Sequence, residues 1–210
     1  EGDNFQLIAG DRKSHTFQIS KDIYKQMSID AARYFYHHRA GVPIEMPFAD
    51  KELWVRPAGH LSDNNVPCLP EMNCGYSLDV QGGWYDAGDH GKYVVNAGYS
   101  VWTMLNLYER SLHLTKTKDI YKDGSLNIPE SKNGISDLLD EVRVELEFML
   151  KMEVPDKHPL AGMVHHKIHD EDWTGIPTAP HKSNVKRYLH APSTAATLNL
   201  SATAAQCARI

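Results

Sequence analysis

Four stretches with a helical spacing of apolar residues, separated by long loops, constrain the fold of this chain most. In each stretch, apolar side chains recur every three or four positions, as expected for a helix with one face in a core. The predicted helices run from Ser20 to about Gly41, over 96–113, over 134–152, and onwards from Ser193. The connections, including a long Pro- and Gly-rich segment at 44–92, show little periodicity. The sequence predicts a mainly α fold in which helical hairpins carry loops that build a cleft.

Residues 82–94 form the segment with the clearest chemical content. Asp86 and Asp89 lie three positions apart among four glycines, which favours a shaped loop over a helix interior. Aromatic side chains flank the two acids at Trp84, Tyr85 and Tyr93. Two carboxylates held together can orient a water molecule and accept its proton, and rings beside them can stack on a sugar. A turn, a helix cap or a cation site is the alternative for an Asp pair of this spacing.

The complete string extends this interpretation to a family. Residues 82–94 read GGWYDAGDHGKYV, which closely resembles the water-activating motif of glycoside hydrolase family 9, cellulases with an (α/α)6 barrel. Residues 34–44 and 56–60 look like the opening segment of members that carry an N-terminal immunoglobulin-like module. Residues 192–200 resemble a later barrel helix, so the resemblance covers about residues 20–210.

The resemblance implies two parts of unequal size. Residues 20–210 would be the N-terminal part of an (α/α)6-barrel catalytic domain, truncated because the last predicted helix reaches Ile210 without a stop signal. Residues 1–19 alternate apolar and polar side chains around the turn-like Ala9-Gly10-Asp11, which predicts a short hairpin. This hairpin would be a β remnant of the immunoglobulin-like module, formed by its C-terminal strands.

The resemblance also assigns chemical roles. Family 9 enzymes invert the anomeric centre, so Asp89 would be the general base and Asp86 would hold the same water. The general acid would be a Glu beyond residue 210, and the chain alone is therefore expected to be inactive. The predicted substrate-binding residues are Trp84, Tyr85, His90 and Trp173, while Trp102 on a helix is expected in the core. The expected reaction is hydrolysis of β-1,4-glucosidic bonds in cellulose or related β-glucans.

Cysteine and histidine residues leave the question of a metal open. His60, Cys68, Cys74 and His90 offer two sulfur and two nitrogen ligands, a set that suits tetrahedral zinc. A Cys68–Cys74 disulfide, consistent with export, and a pair of free thiols are the alternatives. Structural calcium occurs in relatives, although its motifs lie mostly beyond residue 210, and catalysis needs no cofactor. His165, His166 and His169 are expected to be surface or cleft side chains.

Composition narrows the partners. The formal net charge of −5 argues against a nucleic-acid surface, and no apolar run is long enough for a membrane helix. The expected partner is therefore a β-1,4-glucan polysaccharide, with no nucleic acid and no membrane. The resemblance implies a secreted, extracellular protein, to which carbohydrate-binding or dockerin modules can be appended.

Two other functions remain open at this stage. A glucan-binding or scaffold protein could keep the cleft without the acid, and the downstream sequence would reveal this by lacking the Glu. A hydrolase of amino sugars could use the same fold, and would prefer chito-oligosaccharides to cello-oligosaccharides.

Overall fold

The computed structural model describes residues 2–114 and 120–210, and it contains four long helices among short strands and loops. The helices are α1 (Lys25–His38), α2 (Val94–His113), α3 (Asp137–Lys151) and α4 (Thr194–Arg209). The strands are β1 (Gly2–Phe5), β2 (Ile8–Ala9), β3 (Arg12–Lys13), β4 (Phe17–Ile19), β5 (Val66–Pro67), β6 (Ser77–Leu78), β7 (Lys92–Tyr93), β8 (Val164–His165), β9 (Lys167–Asp170), β10 (Arg187–Leu189) and β11 (Pro192–Ser193). The mainly α character predicted from the sequence is confirmed.

Three helices lie within a few residues of their predicted positions. The Ser193 hydroxyl caps α4 by accepting a 3.1 Å hydrogen bond from the Ala196 amide, as its sequence position predicts. The predicted start of α1 at Ser20 is wrong, because α1 begins at Lys25. The Ser20 hydroxyl accepts from the Asp22 amide instead, a local bond that closes a turn rather than a helix.

Helix α2 is the centre of the helical packing and contacts both α3 and α4. Its Gly98 faces α4 so closely that an added Cβ would lie 1.5 Å from Asn199 Oδ1. The side chains of Val101 and Leu105 on α2 and of Leu138 and Met149 on α3 are fully buried. The apolar periodicity of these helices therefore corresponds to a shared core.

The long segment 44–92 also contributes to the core rather than forming a loose loop. Its Ile44, Ala49, Val66 and Val80 are almost completely buried. Backbone hydrogen bonds between Ile44 and Arg56 of 2.9 and 3.0 Å close part of it. These apolar residues are separated from one another by turns, so they are buried without a regular spacing in the sequence.

A three-stranded antiparallel sheet, ordered β10-β9-β7, positions the residues behind the Gly-rich segment. Lys92 of β7 pairs with Ile168 of β9, and Asp170 of β9 pairs with Arg187 of β10. This register brings β9 and β10, which are distant in the sequence, beside β7, the strand that directly follows residues 82–91.

At the N-terminus, β1 pairs with β4 and β2 with β3, so the predicted hairpin is present.

Two predictions of side-chain environment are wrong. Trp102 is 50% exposed on α2, beside the exposed ring of Tyr99, and does not lie in the core. His165 is fully buried rather than on the surface, because its two ring nitrogens are bonded to the Tyr76 hydroxyl and the His190 carbonyl.

Within the described ranges, no helix is both long and apolar enough to span a bilayer.

Candidate active site

Backbone contacts fix the shape of the Gly-rich loop at residues 82–91. The Tyr85 amide donates to the His38 carbonyl at the end of α1, and the Asp86 amide donates to the Gly91 carbonyl, both at 2.9 Å. Gly83 has a φ of +71°, and an added Cβ there would lie 2.6 Å from the ring of Phe148. The glycine allows both the left-handed backbone and the close approach to the core.

Asp89 is a buried carboxylate with defined donors. Its Oδ2 accepts hydrogen bonds from the Tyr93 hydroxyl at 3.0 Å and from the Gly91 amide at 3.2 Å. His169 Nε2 lies 3.6 Å from the same oxygen. His169 belongs to β9, which pairs with β7 and so brings this ring beside the loop. Burial and the negative charge of Asp89 both raise the pKa of Tyr93, so this hydroxyl keeps its proton and remains a donor. The arrangement holds the carboxylate in one orientation.

Asp86 has a different environment in the same loop. Its side chain is exposed, and Oδ1 accepts a 2.8 Å hydrogen bond from Asn96 in the first turn of α2. It lines a small cleft together with Tyr34, His38, Tyr93 and Asn96. The two predicted acids are therefore brought to one site, one ordered by buried donors and the other facing solvent.

Trp84 supports the loop, and its predicted role as a sugar platform stays a prediction. It is only 5% exposed, and its indole N–H donates to Glu141 at 2.8 Å. Its amide donates to Glu145 Oε2 at 2.6 Å. Arg39 donates in turn to Glu141 and to Glu130. Trp84 thus links the loop to buried acids of α3, and it also lines the small cleft at Asp86.

Two buried acids of α3, Glu141 and Glu145, have raised pKa values. Burial raises the pKa of Glu145 to about 8, although the hydrogen bond from Trp84 opposes this shift. Burial also raises the pKa of Glu141, against the attraction of Arg39. Both acids are buried against partners that are distant in the sequence, Trp84 and Arg39.

A second cluster of buried charged side chains, formed by Asp63, Lys92 and Arg187, lies under the loop. Lys92 is fully buried, and its Nζ donates to the carbonyls of Val80 and Gly82 and pairs with Asp63 at 2.9 Å. Arg187 Nε also donates to Asp63 at 2.8 Å. Burial tends to raise the pKa of Asp63, but Lys92 and Arg187 hold it below its usual value. Sequence reasoning missed this group because its members are far apart in the chain.

Tyr85 and His90 lie behind the loop rather than on an open surface. Tyr85 is 4% exposed, and its hydroxyl shares a 2.7 Å hydrogen bond with His60 Nδ1. His90 is also 4% exposed, and its Nε2 donates to the Thr178 carbonyl at 3.0 Å. Both side chains line a cavity together with Arg56 and Thr178, and their predicted role in binding substrate stays a prediction.

Trp173 is the predicted aromatic residue that the structure places in the open. It is 68% exposed, and its ring lies 5.5 Å from that of His169, with an interplanar angle of 31°. His169 in turn contacts Asp89. A sugar platform at Trp173 stays a prediction, now with a position beside the buried acid.

The predicted zinc set of Cys68, Cys74, His60 and His90 is wrong. Cys68 and Cys74 form a disulfide with a Cα–Cα distance of 6.3 Å, so neither offers a thiolate. His60 and His90 do come together, with ring centroids 4.9 Å apart, but Asp170 is their third neighbour. Burial lowers the pKa of both histidines, that of His60 to about 4, so both are neutral at physiological pH.

Comparisons with known proteins identify a family for this chain. The sequence model of Glycosyl hydrolase family 9 matches residues 24–210. A cellulose 1,4-beta-cellobiosidase from Acetivibrio thermocellus is 53% identical over 213 residues, which is 94% of this chain and 24% of that protein. Endoglucanase C from Cellulomonas fimi is 50% identical over 222 residues, which is 100% of this chain and 20% of that protein.

A solved structure gives the same result at the level of the fold. The Bacteroides ovatus GH9 structure superimposes with a TM-score of 0.81 at 34% identity, covering 97% of this chain and 36% of that one. The chain spans between a fifth and a quarter of the length of the curated relatives described above. The four helices fit a fragment of the fold of these enzymes. On these grounds, the chain belongs to glycosyl hydrolase family 9.

Proposed function

We propose that the protein containing this chain hydrolyses β-1,4-glucosidic bonds in cellulose or related β-glucans. The observation that carries the proposal is the pair of acids in one Gly-rich loop, with Asp89 buried among donors and Asp86 open to the cleft. The names of the similar proteins, a cellobiosidase and an endoglucanase, support a glucan substrate.

The proposed mechanism inverts the anomeric carbon. Asp89 accepts a proton from water as the water oxygen attacks that carbon, and Asp86 positions the same water. The bond from the anomeric carbon to the leaving oxygen breaks, and a carboxylic acid about 6.5–9.5 Å from the base gives this oxygen a proton. We place this acid, a Glu, beyond residue 210. Residues 1–210 alone would then be inactive.

The surrounding architecture is part of the same proposal. Helices α1–α4 would form the first part of an (α/α)6 barrel, and residues 1–19 the end of an immunoglobulin-like module. Export to the extracellular space is supported by the Cys68–Cys74 disulfide, because disulfides persist in oxidising compartments. Further carbohydrate-binding or dockerin modules would deliver the enzyme to insoluble polymer. No cofactor takes part in this hydrolysis, although structural calcium would be compatible with it.

The anomeric form of the first product tests this proposal. The protein at its natural full length is mixed with cellohexaose, and proton NMR follows the reducing ends before mutarotation. Inversion of a β-linkage predicts that the α-anomer appears first. Initial release of the β-anomer would contradict the mechanism. Binding without cleavage would favour a scaffold, and cleavage of chito-oligosaccharides alone an amino-sugar hydrolase.

A further inference from the structure

Asn96 supplies a hydrogen bond to the exposed acid of the Gly-rich loop. Its side-chain amide, in the first turn of α2, donates to Asp86 Oδ1 at 2.8 Å. The backbone amide of Asp86 donates to the Gly91 carbonyl, while its side chain lines the small cleft. The orientation of this carboxylate therefore depends on a side chain that lies outside the loop.

The other titratable side chains that line this cleft leave the task to Asn96. They are Tyr34, His38 and Tyr93. Burial raises the pKa of both tyrosines and lowers that of His38, so all three are neutral at physiological pH. The Tyr93 hydroxyl donates to the buried acid of the loop, and His38 Nδ1 donates to the Tyr34 carbonyl, which leaves a lone pair on Nε2. A neutral amide donor orients Asp86 and leaves its negative charge in place.

The first turn of α2 is a rigid support for this contact. Val94 is fully buried, and an added Cβ at Gly98 would lie 1.5 Å from Asn199 Oδ1 on α4. Asn199 Nδ2 also donates to the Val95 carbonyl at 3.5 Å. Helix α4 therefore holds the turn that carries Asn96, and a packed helix positions a side chain more precisely than a loop does.

The helix itself does not explain an asparagine at this position. Asn is a weaker helix former than Ala, and near a helix start its side chain commonly bonds to neighbouring backbone groups. The Asn96 side chain instead reaches ten residues back along the chain to Asp86. A residue that lowers helix stability and bonds to a site residue is expected to act on the site.

We propose that Asn96 is a positioning residue for hydrolysis, which holds Asp86 Oδ1 so that Oδ2 faces the water attacking the anomeric carbon. This inference rests on the proposed function. Without the amide, the Asp86 side chain would rotate about its own bonds and hold the water in the productive position for only part of the time. Orienting the reacting groups in advance lowers the barrier, so the loss should appear in kcat rather than in KM.

Kinetic measurements on the protein at its natural full length test this role. Asn96→Ala should lower kcat for cellohexaose about 10-fold or more with little change in KM, since a hydrogen bond to a charged group contributes at least this factor. Its Tm should be equal to or above that of the wild type, because Ala is the better helix former. Asn106→Ala is the matched control on α2, where the Asn106 side chain donates to the Trp102 carbonyl at 2.7 Å. This control should keep the wild-type kcat.

Asn96→Asp gives a second measurement that a purely structural role would not move. At neutral pH it places a second carboxylate against Asp86, so kcat should fall further than in Asn96→Ala. As the pH falls, a proton shared between the two carboxyl groups restores a donor. The ratio of kcat in Asn96→Asp to kcat in Asn96→Ala should therefore rise towards acid pH.

The inference and the proposed function fail in different ways. A wild type that leaves glucan intact would overturn the proposed function and this inference with it. Equal kcat in the wild type and Asn96→Ala, with inverting hydrolysis intact, would overturn this inference alone. A rise in KM at unchanged kcat, or a pH-independent ratio between the two Asn96 variants, would do the same.

Discussion

Tyr93 donates a 3.0 Å hydrogen bond to Asp89 Oδ2, the same carboxylate oxygen that His169 approaches at 3.6 Å. Tyr93 is the second residue of β7, and β7 pairs with the strand that carries His169. The short sheet therefore connects the shape of the loop to the orientation of the buried carboxylate. This relationship gives Tyr93 a positioning role that the motif alone does not define.

Replacing Tyr93 with Phe should lower kcat for β-glucan hydrolysis roughly 10-fold or more, because a hydrogen bond to a charged group contributes about 1.5–3 kcal/mol. The ring is retained, so the fold should persist. Tyr99→Phe is the matched control, since Tyr99 is 68% exposed on α2. A Tyr93→Phe enzyme with wild-type kcat would show that this bond does not position the carboxylate.

The ion pair between Arg39 and Glu141 should contribute strongly to stability. Arg39→Met removes the charge that compensates buried Glu141, and we expect a loss of about 3–5 kcal/mol in the free energy of unfolding. Arg143→Met is the control, since Arg143 pairs with Glu147 on the exposed face of α3, the helix that also carries Glu141. This substitution should change the free energy of unfolding little. Urea unfolding measures both. Equal effects of the two substitutions would contradict the buried role of Arg39.

Glu145 should make stability depend on pH. Its pKa of about 8 in the folded protein lies above the value of 4.5 for a solvated glutamate, so the folded state retains a proton that the unfolded state has released. The resulting stabilisation is complete below about pH 4.5 and is lost as the pH rises through about 8. Between pH 5 and 8, the contribution of Glu145 to the free energy of unfolding should fall by up to about 4 kcal/mol.

Glu145→Gln isolates this effect, because the amide oxygen can still accept from the Trp84 amide but does not titrate. The fall in the free energy of unfolding between pH 5 and 8 should be smaller in this variant than in the wild type. Glu147→Gln, on the exposed face, should retain the wild-type slope. Parallel pH profiles for the wild type and Glu145→Gln would rule out the raised pKa.

Trp173 and Trp84 should respond differently to substitution. Trp173→Ala removes an exposed ring next to His169, so KM for cello-oligosaccharides should rise about 3- to 10-fold with little change in Tm. Trp84→Phe loses the hydrogen bond to Glu141, so Tm should fall while the folded enzyme keeps its KM. The opposite pattern, with KM sensitive only to Trp84, would assign the sugar platform to Trp84.

The sequence predicts helices well where one face has a regular apolar period. Helix α2 was expected over 96–113 and occupies Val94–His113, while the α1 start was missed because Ser20 forms a turn instead of a cap. Trp102 shows the limit of the same reasoning. Its helical setting suggested burial, but the pattern does not determine which face of a helix a large ring occupies.

The site was only partly predictable. The motif identified Asp86 and Asp89, since their spacing and glycines are local features. The donors Gly91 and Tyr93 of Asp89 are also local, but His169 lies 80 residues after Asp89 and could not be placed beside it from the motif. The ion pair beneath the loop joins Asp63 to Arg187, 124 residues later, so it was not predictable either. The disulfide that replaced the predicted zinc set is likewise a matter of pairing, which cysteine spacing left open.

Substitution of Asp89 tests the central claim most directly. Asp89→Asn preserves the size of the side chain but cannot accept the proton of the attacking water, so turnover of cello-oligosaccharides by the natural full-length protein should fall about 100-fold or more. Asp156→Asn, on an exposed turn, is the control and should keep full activity. Circular dichroism and Tm would verify that both variants fold. A folded Asp89→Asn enzyme with near wild-type kcat would contradict the account.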